Sequence, residues 1–184
     1  MLCTHGEEKS NLKILWSDAL NVRLGRGKKM LTLPEEIAAA CAPLFEAMPF
    51  ETAMGRLVGN APQQTEIVKQ ILQNPALTGR PELAAALWLY VDDLDRSHTV
   101  SQGIEDTTGA YWHGIMHRRE GDFSNSHYWM RRAVSHPLLR SHSELDPDAL
   151  IDAVKAAQGS DMPDLVARQR AEWKALFEWC AAQA

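Results

Sequence analysis

The stretch YWHGIMHRREGDFSNSHYWMRR, residues 111–132, predicts two α-helices joined by a tight turn. Gly121 is placed to end the first helix, because glycine readily adopts the left-handed conformation that follows a helix C-terminus. Asp122 or Ser124 can cap the second helix with a side-chain oxygen. Two helices with so short a connection lie antiparallel and in contact. The stretch therefore predicts a helical hairpin at the centre of the fold.

The outer ends of this hairpin are set by residues on either side of the stretch. Thr107 or Thr108 can cap the first helix, which we predict over about 109–120. The second helix is predicted to continue to His136, because Pro137 disfavours helical backbone at the residue before it. The other helices are placed around this hairpin.

Most of the remaining chain also shows the helical spacing of apolar residues. One helix is predicted to begin at a capping box formed by Thr32 and Glu35. A single longer helix is predicted over 81–98, and a final long helix is predicted to start at Asp161. These elements predict an all-α fold, a single-domain helical bundle with the hairpin at its centre.

The chain divides into two parts by pattern. Residues 32–184 are predicted to form the helical domain. Residues 1–31 are predicted to form an N-terminal arm or a short helix of uncertain structure, because they show neither clean alternation nor a clean helical period. A chain of 184 residues is long enough for one domain.

Composition and charge indicate an ordinary globular protein and argue against several classes of partner. Hydrophobic residues make up 45% of the chain and charged residues 23%. The net charge of −5 argues against binding to nucleic acid or to an anionic membrane. The three cysteines form no CxxC pattern, which favours a reducing compartment, and the N-terminus does not resemble a signal peptide. The sequence predicts a cytoplasmic protein.

The hairpin resembles one tetratricopeptide (TPR) unit. Such a unit has a small residue in its first helix, Gly-Asp and an aromatic at the turn, a small residue in its second helix, and then alanine and proline. The matching residues are Gly114, Gly121, Asp122, Phe123, Ser126, Ala133 and Pro137. The pattern departs from the unit at Met130, at His117 and in the early position of the proline. Because no second copy occurs at the family's period of about 34 residues, the resemblance implies helix–turn–helix geometry with close approach at Gly114 and Ser126, and not a repeat scaffold.

The segment HGIMHRREGDFSN, from His113 to Asn125, is also similar to a signature of an uncharacterised all-helical family. This second resemblance agrees with the fold class and implies no activity. The chain contains no GxSxG nucleophile elbow. The sequence therefore leaves open whether the protein is an enzyme.

Histidines and a carboxylate of the hairpin have the spacing of a metal site. His113, His117 and Glu120 stand at positions i, i+4 and i+7 of the predicted first helix, so they share one face. Two imidazoles four residues apart can chelate a transition metal, and a carboxylate can complete a three-ligand site. His127, on the second helix, is expected to approach the same face. These four residues are the predicted ligands of a divalent transition metal, the cofactor that the sequence suggests.

Six of the seven histidines fall between residues 98 and 142, together with carboxylates and aromatic residues. We expect this cluster to line a pocket, with Trp129 as an aromatic wall and Tyr128 as a proton donor. Asn125 can hydrogen-bond a ligand or cap its helix, and Arg118 can bind an anion or pair with a nearby acidic residue. The predicted ligand-binding residues are Asp95, Glu105, Trp112, Arg118, Asn125, Tyr128 and Trp129.

These residues suggest two functions of different classes. The first is a polar pocket between the helices predicted at 81–98, 109–120 and 123–136, which binds a small molecule or a divalent metal, with or without catalysis. Ionisable groups on helices that should bury apolar faces support it, because such groups are costly unless paired and often mark a site. The second is a protein–protein interaction module that uses the aromatic face of the TPR-like hairpin, with another chain or a homodimer as the result. A third interpretation is structural, with the imidazoles in a polar network of carboxylates and tryptophans.

Overall fold

The computed structural model describes residues 31–59 and 61–183, and these residues form nine α-helices. The helices are α1 Glu35–Ala47, α2 Thr65–Ile71, α3 Pro81–Tyr90, α4 Leu94–Ser101, α5 Thr107–Glu120, α6 Phe123–Ala133, α7 Pro137–Ser141, α8 Pro147–Ala156 and α9 Pro163–Ala181. The predicted all-α fold is confirmed. The predicted N-terminal arm lies outside the described residues, apart from Leu31. No helix in the described ranges has the length and apolar character needed to cross a bilayer.

The main hydrophobic core is built on aromatic side chains from α1, α3, α5 and α9. Trp173 of α9 packs against Tyr90 and Phe177, whose ring centres lie 5.0 and 4.7 Å from its own. Its indole N–H donates a hydrogen bond to the carbonyl oxygen of Ala86 at 3.0 Å. Trp112 of α5 is fully buried, with its ring centre 6.4 Å from that of Trp173. Because large buried aromatics dominate core energetics, this cluster fixes α5 against α3 and α9.

The helix predicted over 81–98 is wrong in its middle, where the chain turns between α3 and α4. Asp92 has a left-handed backbone, with φ of 62°, which a non-glycine residue adopts at a cost. Its carboxylate forms a buried ion pair with Arg119. Asp93 caps α4 by accepting a hydrogen bond from the Arg96 N–H at 3.2 Å. The two aspartates therefore separate the helices, and α4 packs back against α3.

Two predicted helix starts are wrong because neither Thr32 nor Asp161 occupies the N-cap position of its helix, which is taken by Pro34 in α1 and by Met162 in α9. Helix α1 begins at Glu35 directly after Pro34, whose side chain offers no hydrogen-bond acceptor, so the capping box does not form. The Thr32 N–H donates instead to a glutamate of α9. Asp161 does not cap α9, because its carboxylate accepts a hydrogen bond from the Leu57 N–H at 2.8 Å.

Helices α5 and α6 form the predicted hairpin. Asp106 caps α5 in place of Thr107 or Thr108, and its carboxylate accepts hydrogen bonds from two N–H groups of the first turn. Gly121 ends α5 with φ of 85°, and Asp122 caps α6, both as predicted. The end of α5 and the start of α6 are therefore determined by residues of the turn itself.

Helix α6 is shorter than predicted and ends at Ala133. His136 caps α7, where its Nδ1 accepts a hydrogen bond from the Leu138 N–H at 3.1 Å. The prediction of a helix to His136 is wrong because Pro137 occupies the first turn of a new helix, a position that proline favours.

The two helices of the hairpin approach closely where small residues face each other. The Ser126 hydroxyl donates a hydrogen bond to the carbonyl oxygen of Gly114 at 2.7 Å. A Cβ atom at Gly114 would lie 2.9 Å from Cε of Met130. The predicted close approach at Gly114 and Ser126 is confirmed, while the resemblance to a TPR unit stays a prediction.

Candidate functional site

Three imidazole rings meet where α4 packs against α5. His98 comes from α4, and His113 and His117 come from successive turns of α5. The ring centres of His113 and His117 are 4.7 Å apart, and that of His98 lies 4.6 Å from the first and 5.3 Å from the second. One nitrogen from each ring lies within 4.8 Å of the other two. Among the residues that the structure describes, no other group of three His, Cys, Asp or Glu side chains has such spacing.

The turn between α3 and α4 brings His98 to this place. A continuous helix over 81–98 would carry His98 away along its axis, whereas the reversal at Asp92 and Asp93 lays α4 against both α3 and α5. His98 is not among the four metal ligands predicted from the sequence, because it lies upstream of the hairpin and has no helical spacing relative to them. Two adjacent aspartates were the available signal, because aspartate favours turns and helix caps.

His117 is held by a carboxylate on its outer side. Its Nδ1 lies 2.9 Å from Oε2 of Glu120, three residues further along α5. This contact uses one ring nitrogen and leaves Nε2 of His117 as the free ligand atom. The structure thus brings three of the predicted metal-site residues together, with Glu120 bonded to an imidazole.

His113 is 3% exposed and is covered by an aromatic ring. The indole of Trp129 stacks on it, with 4.1 Å between ring centres and 12° between planes. Burial, and to a lesser degree the neighbouring His117 and His98, lower the pKa of His113 from 6.5 to about 4. Its buried Nδ1 has no hydrogen-bond partner in the described residues. His113 is therefore a neutral imidazole near pH 7, as a metal ligand must be.

Next to the ring of Trp129, α6 carries a cation and a second aromatic ring. The guanidinium of Arg132 lies 5.3 Å from the ring centre of Trp129 and 5.9 Å from that of Tyr128, which is 47% exposed. Arg132 also borders an open depression of about 510 Å³. That depression is lined by Glu105, Asp106, Thr107, Ala110 and Arg132. Among the predicted ligand-binding residues, Glu105, Tyr128 and Trp129 therefore surround or adjoin the same side of the hairpin.

His127 faces a different helix. Its Nδ1 lies 2.7 Å from Asp148 and its Nε2 lies 3.1 Å from Asp152, both on α8. The two contacts occupy both ring nitrogens and join α6 to α8. The structure thus places this predicted metal ligand outside the group formed by His98, His113 and His117.

Three other predicted ligand-binding residues are exposed or have other contacts. Asp95 is exposed on α4. The side-chain amide of Asn125 donates a hydrogen bond to Asp122 at 2.7 Å, within the turn of the hairpin. Trp112 is in the main core. Trp112 is thus used in core packing, while Trp129 stacks on His113.

Arg118 lies in the interior rather than at the surface. Its side chain is fully buried, and its Nη2 donates to Glu172 of α9 at 2.5 Å. Arg119 is also buried and pairs with Asp92. The sequence suggested nearby acids as partners of Arg118, but the true partner is 54 residues away. The spacing of residues along one helix could not reveal this pair. The ion pair joins α5 to α9 in the interior of the protein.

A scan against protein-family models found no match, and searches of curated proteins and of solved structures found none either. Imidazole nitrogen is a ligand that suits zinc, copper, iron and nickel. The meeting point of α4 and α5 is the place where the described residues offer three of these ligands together.

Proposed function

We propose that this protein binds a divalent transition metal ion through His98, His113 and His117. The observation that carries the proposal is the convergence of three imidazole nitrogens within 4.8 Å of one another. Two nitrogens bonded to one ion at about 2.1 Å lie no more than about 4 Å apart. Movements of about 1 Å in these side chains would therefore complete the coordination, which is within the range of small rotamer adjustments.

The state of His113 supports a ligand role over a purely structural network. In a structural network each buried polar atom normally has a hydrogen-bond partner. The Nδ1 of His113 is buried without one in the described residues, and the ring is held in place by stacking on Trp129. Burial keeps the ring neutral, so its lone pair is available to a metal.

The ligand set also favours a class of ion. Three imidazoles offer nitrogen alone, whereas Mg²⁺ and Ca²⁺ are held by oxygen. Zinc, nickel, copper and iron accept imidazole readily. We therefore expect the site to prefer such ions strongly over Mg²⁺ and Ca²⁺.

The test is zinc and nickel binding by calorimetry on the full-length chain without a histidine tag. We expect one ion per chain, and we expect His113→Ala and His117→Ala to lose most of that binding. His127→Ala and His142→Ala are matched controls, because each removes a histidine that contacts other acids outside the three-imidazole group. Circular dichroism checks that every variant keeps its helices.

Two results would overturn the proposal. One is the absence of zinc or nickel binding by the folded wild-type chain. The other is binding that falls equally in the two control variants and in the two site variants, because this would indicate weak binding by histidines in general.

A further inference from the structure

We infer that the metal ion held by His98, His113 and His117 keeps an exchangeable coordination position that takes a small inorganic anion or a monocarboxylate. This inference rests on the proposed metal site and concerns what that site binds next. It follows from the number, the charge and the exposure of the three histidines.

The number of ligands is the first step. In the part of the chain covered by the structure, no fourth His, Cys, Asp or Glu ligand atom lies within 4.8 Å of all three imidazole nitrogens. The nearby carboxylate of Glu120 is already engaged with Nδ1 of His117 at 2.9 Å. Structural zinc sites use four protein ligands, whereas sites with three protein ligands hold water or substrate in the fourth position.

Charge is the second step. All three ligands are neutral when they coordinate, because imidazole binds a metal in its deprotonated form. The complex of a divalent ion with these three ligands therefore carries a net charge of about +2. An incoming anion gains from that charge in a partly buried place, where screening by water is weaker than at the surface.

Access is the third step. His113 and His117 are 3% and 7% exposed, and the stacked indole of Trp129 covers one face of His113. His98 is only half-buried, at the edge where α4 meets α5. A small ligand therefore reaches the ion from the His98 side, because the other two imidazoles leave little exposed surface, and ligands of a few atoms suit that limited access.

The experiment uses the full-length chain loaded with Co²⁺, whose visible absorption bands report its coordination. Sodium azide and sodium acetate are titrated in separately, and sodium perchlorate, which coordinates weakly, controls for ionic strength. We expect azide and acetate to shift the bands in a saturable way, at one anion per cobalt. We expect His127→Ala to give the same shift, because His127 lies on the α8 side of α6.

The outcomes separate this inference from the proposed function. If the absorption bands of protein-bound cobalt do not change in a large excess of azide and acetate, the inferred exchangeable position is wrong while the proposed metal site stands. The absence of protein-bound cobalt bands would overturn both. A shift that persists unchanged in His113→Ala would place the cobalt elsewhere and would also overturn both.

Discussion

Glu120 is the last residue of α5, and its Oε2 lies 2.9 Å from Nδ1 of His117. A carboxylate on one nitrogen of a ligating imidazole fixes the tautomer and the ring orientation, and it makes the other nitrogen a better ligand. In the proposed site Glu120 is therefore a positioning residue that acts on the metal through His117. The sequence placed Glu120 on the right helix face, but spacing alone does not distinguish a ligand from the partner of a ligand.

We expect Glu120→Gln to weaken zinc affinity by about 10- to 100-fold, the usual effect of losing such a partner. Competition calorimetry measures the affinity, and ¹⁵N NMR of the metal-free chain reports the tautomer of His117. Glu105→Gln is the matched control, because it removes one exposed carboxylate from the depression beside Arg132. An unchanged affinity together with an unchanged tautomer would contradict this role.

The start of α5 packs tightly against the segment that connects it to α4. An ideal Cβ atom at Gly109 would lie 2.1 Å from the carbonyl oxygen of Ile104 and 2.5 Å from its Cβ. Backbone atoms cannot move aside as the end of a side chain can. Gly109 therefore lets the connection from α4 pass against α5, and that connection holds His98 beside His113.

We expect Gly109→Ala to lower the free energy of unfolding by about 3 kcal/mol, the upper end of the usual cost of overpacking. Gly114→Ala is the matched control on the same helix. Its new Cβ would approach the flexible end of Met130 at 2.9 Å, so a smaller loss is expected. Urea denaturation measures both variants. Equal stability of Gly109→Ala and the wild type would show that the connection can shift without cost.

The elements that could be predicted are those whose signals are local. Gly121 and Asp122 define the turn of the hairpin through their own backbone and side-chain chemistry, and both act as predicted. The turn between α3 and α4 depends on Asp92 pairing with Arg119, 27 residues away, and apolar periodicity across 81–98 hides it. The place of His98 follows from that turn, so the full set of imidazoles could not be assembled from spacing alone.

At the scale of the whole molecule, His136 ties three helices together. It caps α7, its Nε2 lies 3.3 Å from the hydroxyl of Thr108 on α5, and its ring centre lies 4.4 Å from that of Trp179 on α9. Burial lowers the pKa of His136 from 6.5 to about 4, although the negative charge of Asp106 opposes this shift. The fold therefore requires His136 to be neutral.

This requirement predicts a loss of stability in mild acid. The unfolded chain protonates His136 near pH 6.5 and the folded chain only near pH 4, so the unfolded state binds more protons between these values. The stabilising contribution is complete above about pH 6.5 and is lost as the pH falls towards 4, by roughly 3 kcal/mol in total. Urea denaturation from pH 7 to pH 4.5 measures this fall. We expect His136→Gln to reduce the pH dependence by about half, because burial also lowers the pKa of His113 from 6.5 to about 4 and that contribution remains. The half-buried His142→Gln should leave the slope unchanged. Identical slopes for all three chains would contradict the role of His136.

The two buried ion pairs at the end of α5 have a geometric consequence. Arg118 reaches Glu172 of α9, while the next residue, Arg119, reaches Asp92 beyond α3. Adjacent positions on an α-helix differ by about 100° in direction, so the two ion pairs hold α5 from two sides. Two such contacts in different directions oppose both rotation of α5 about its axis and translation along it. His113 and His117 lie on the same helix. The orientation of their imidazoles therefore depends on two carboxylates outside α5, those of Glu172 and Asp92.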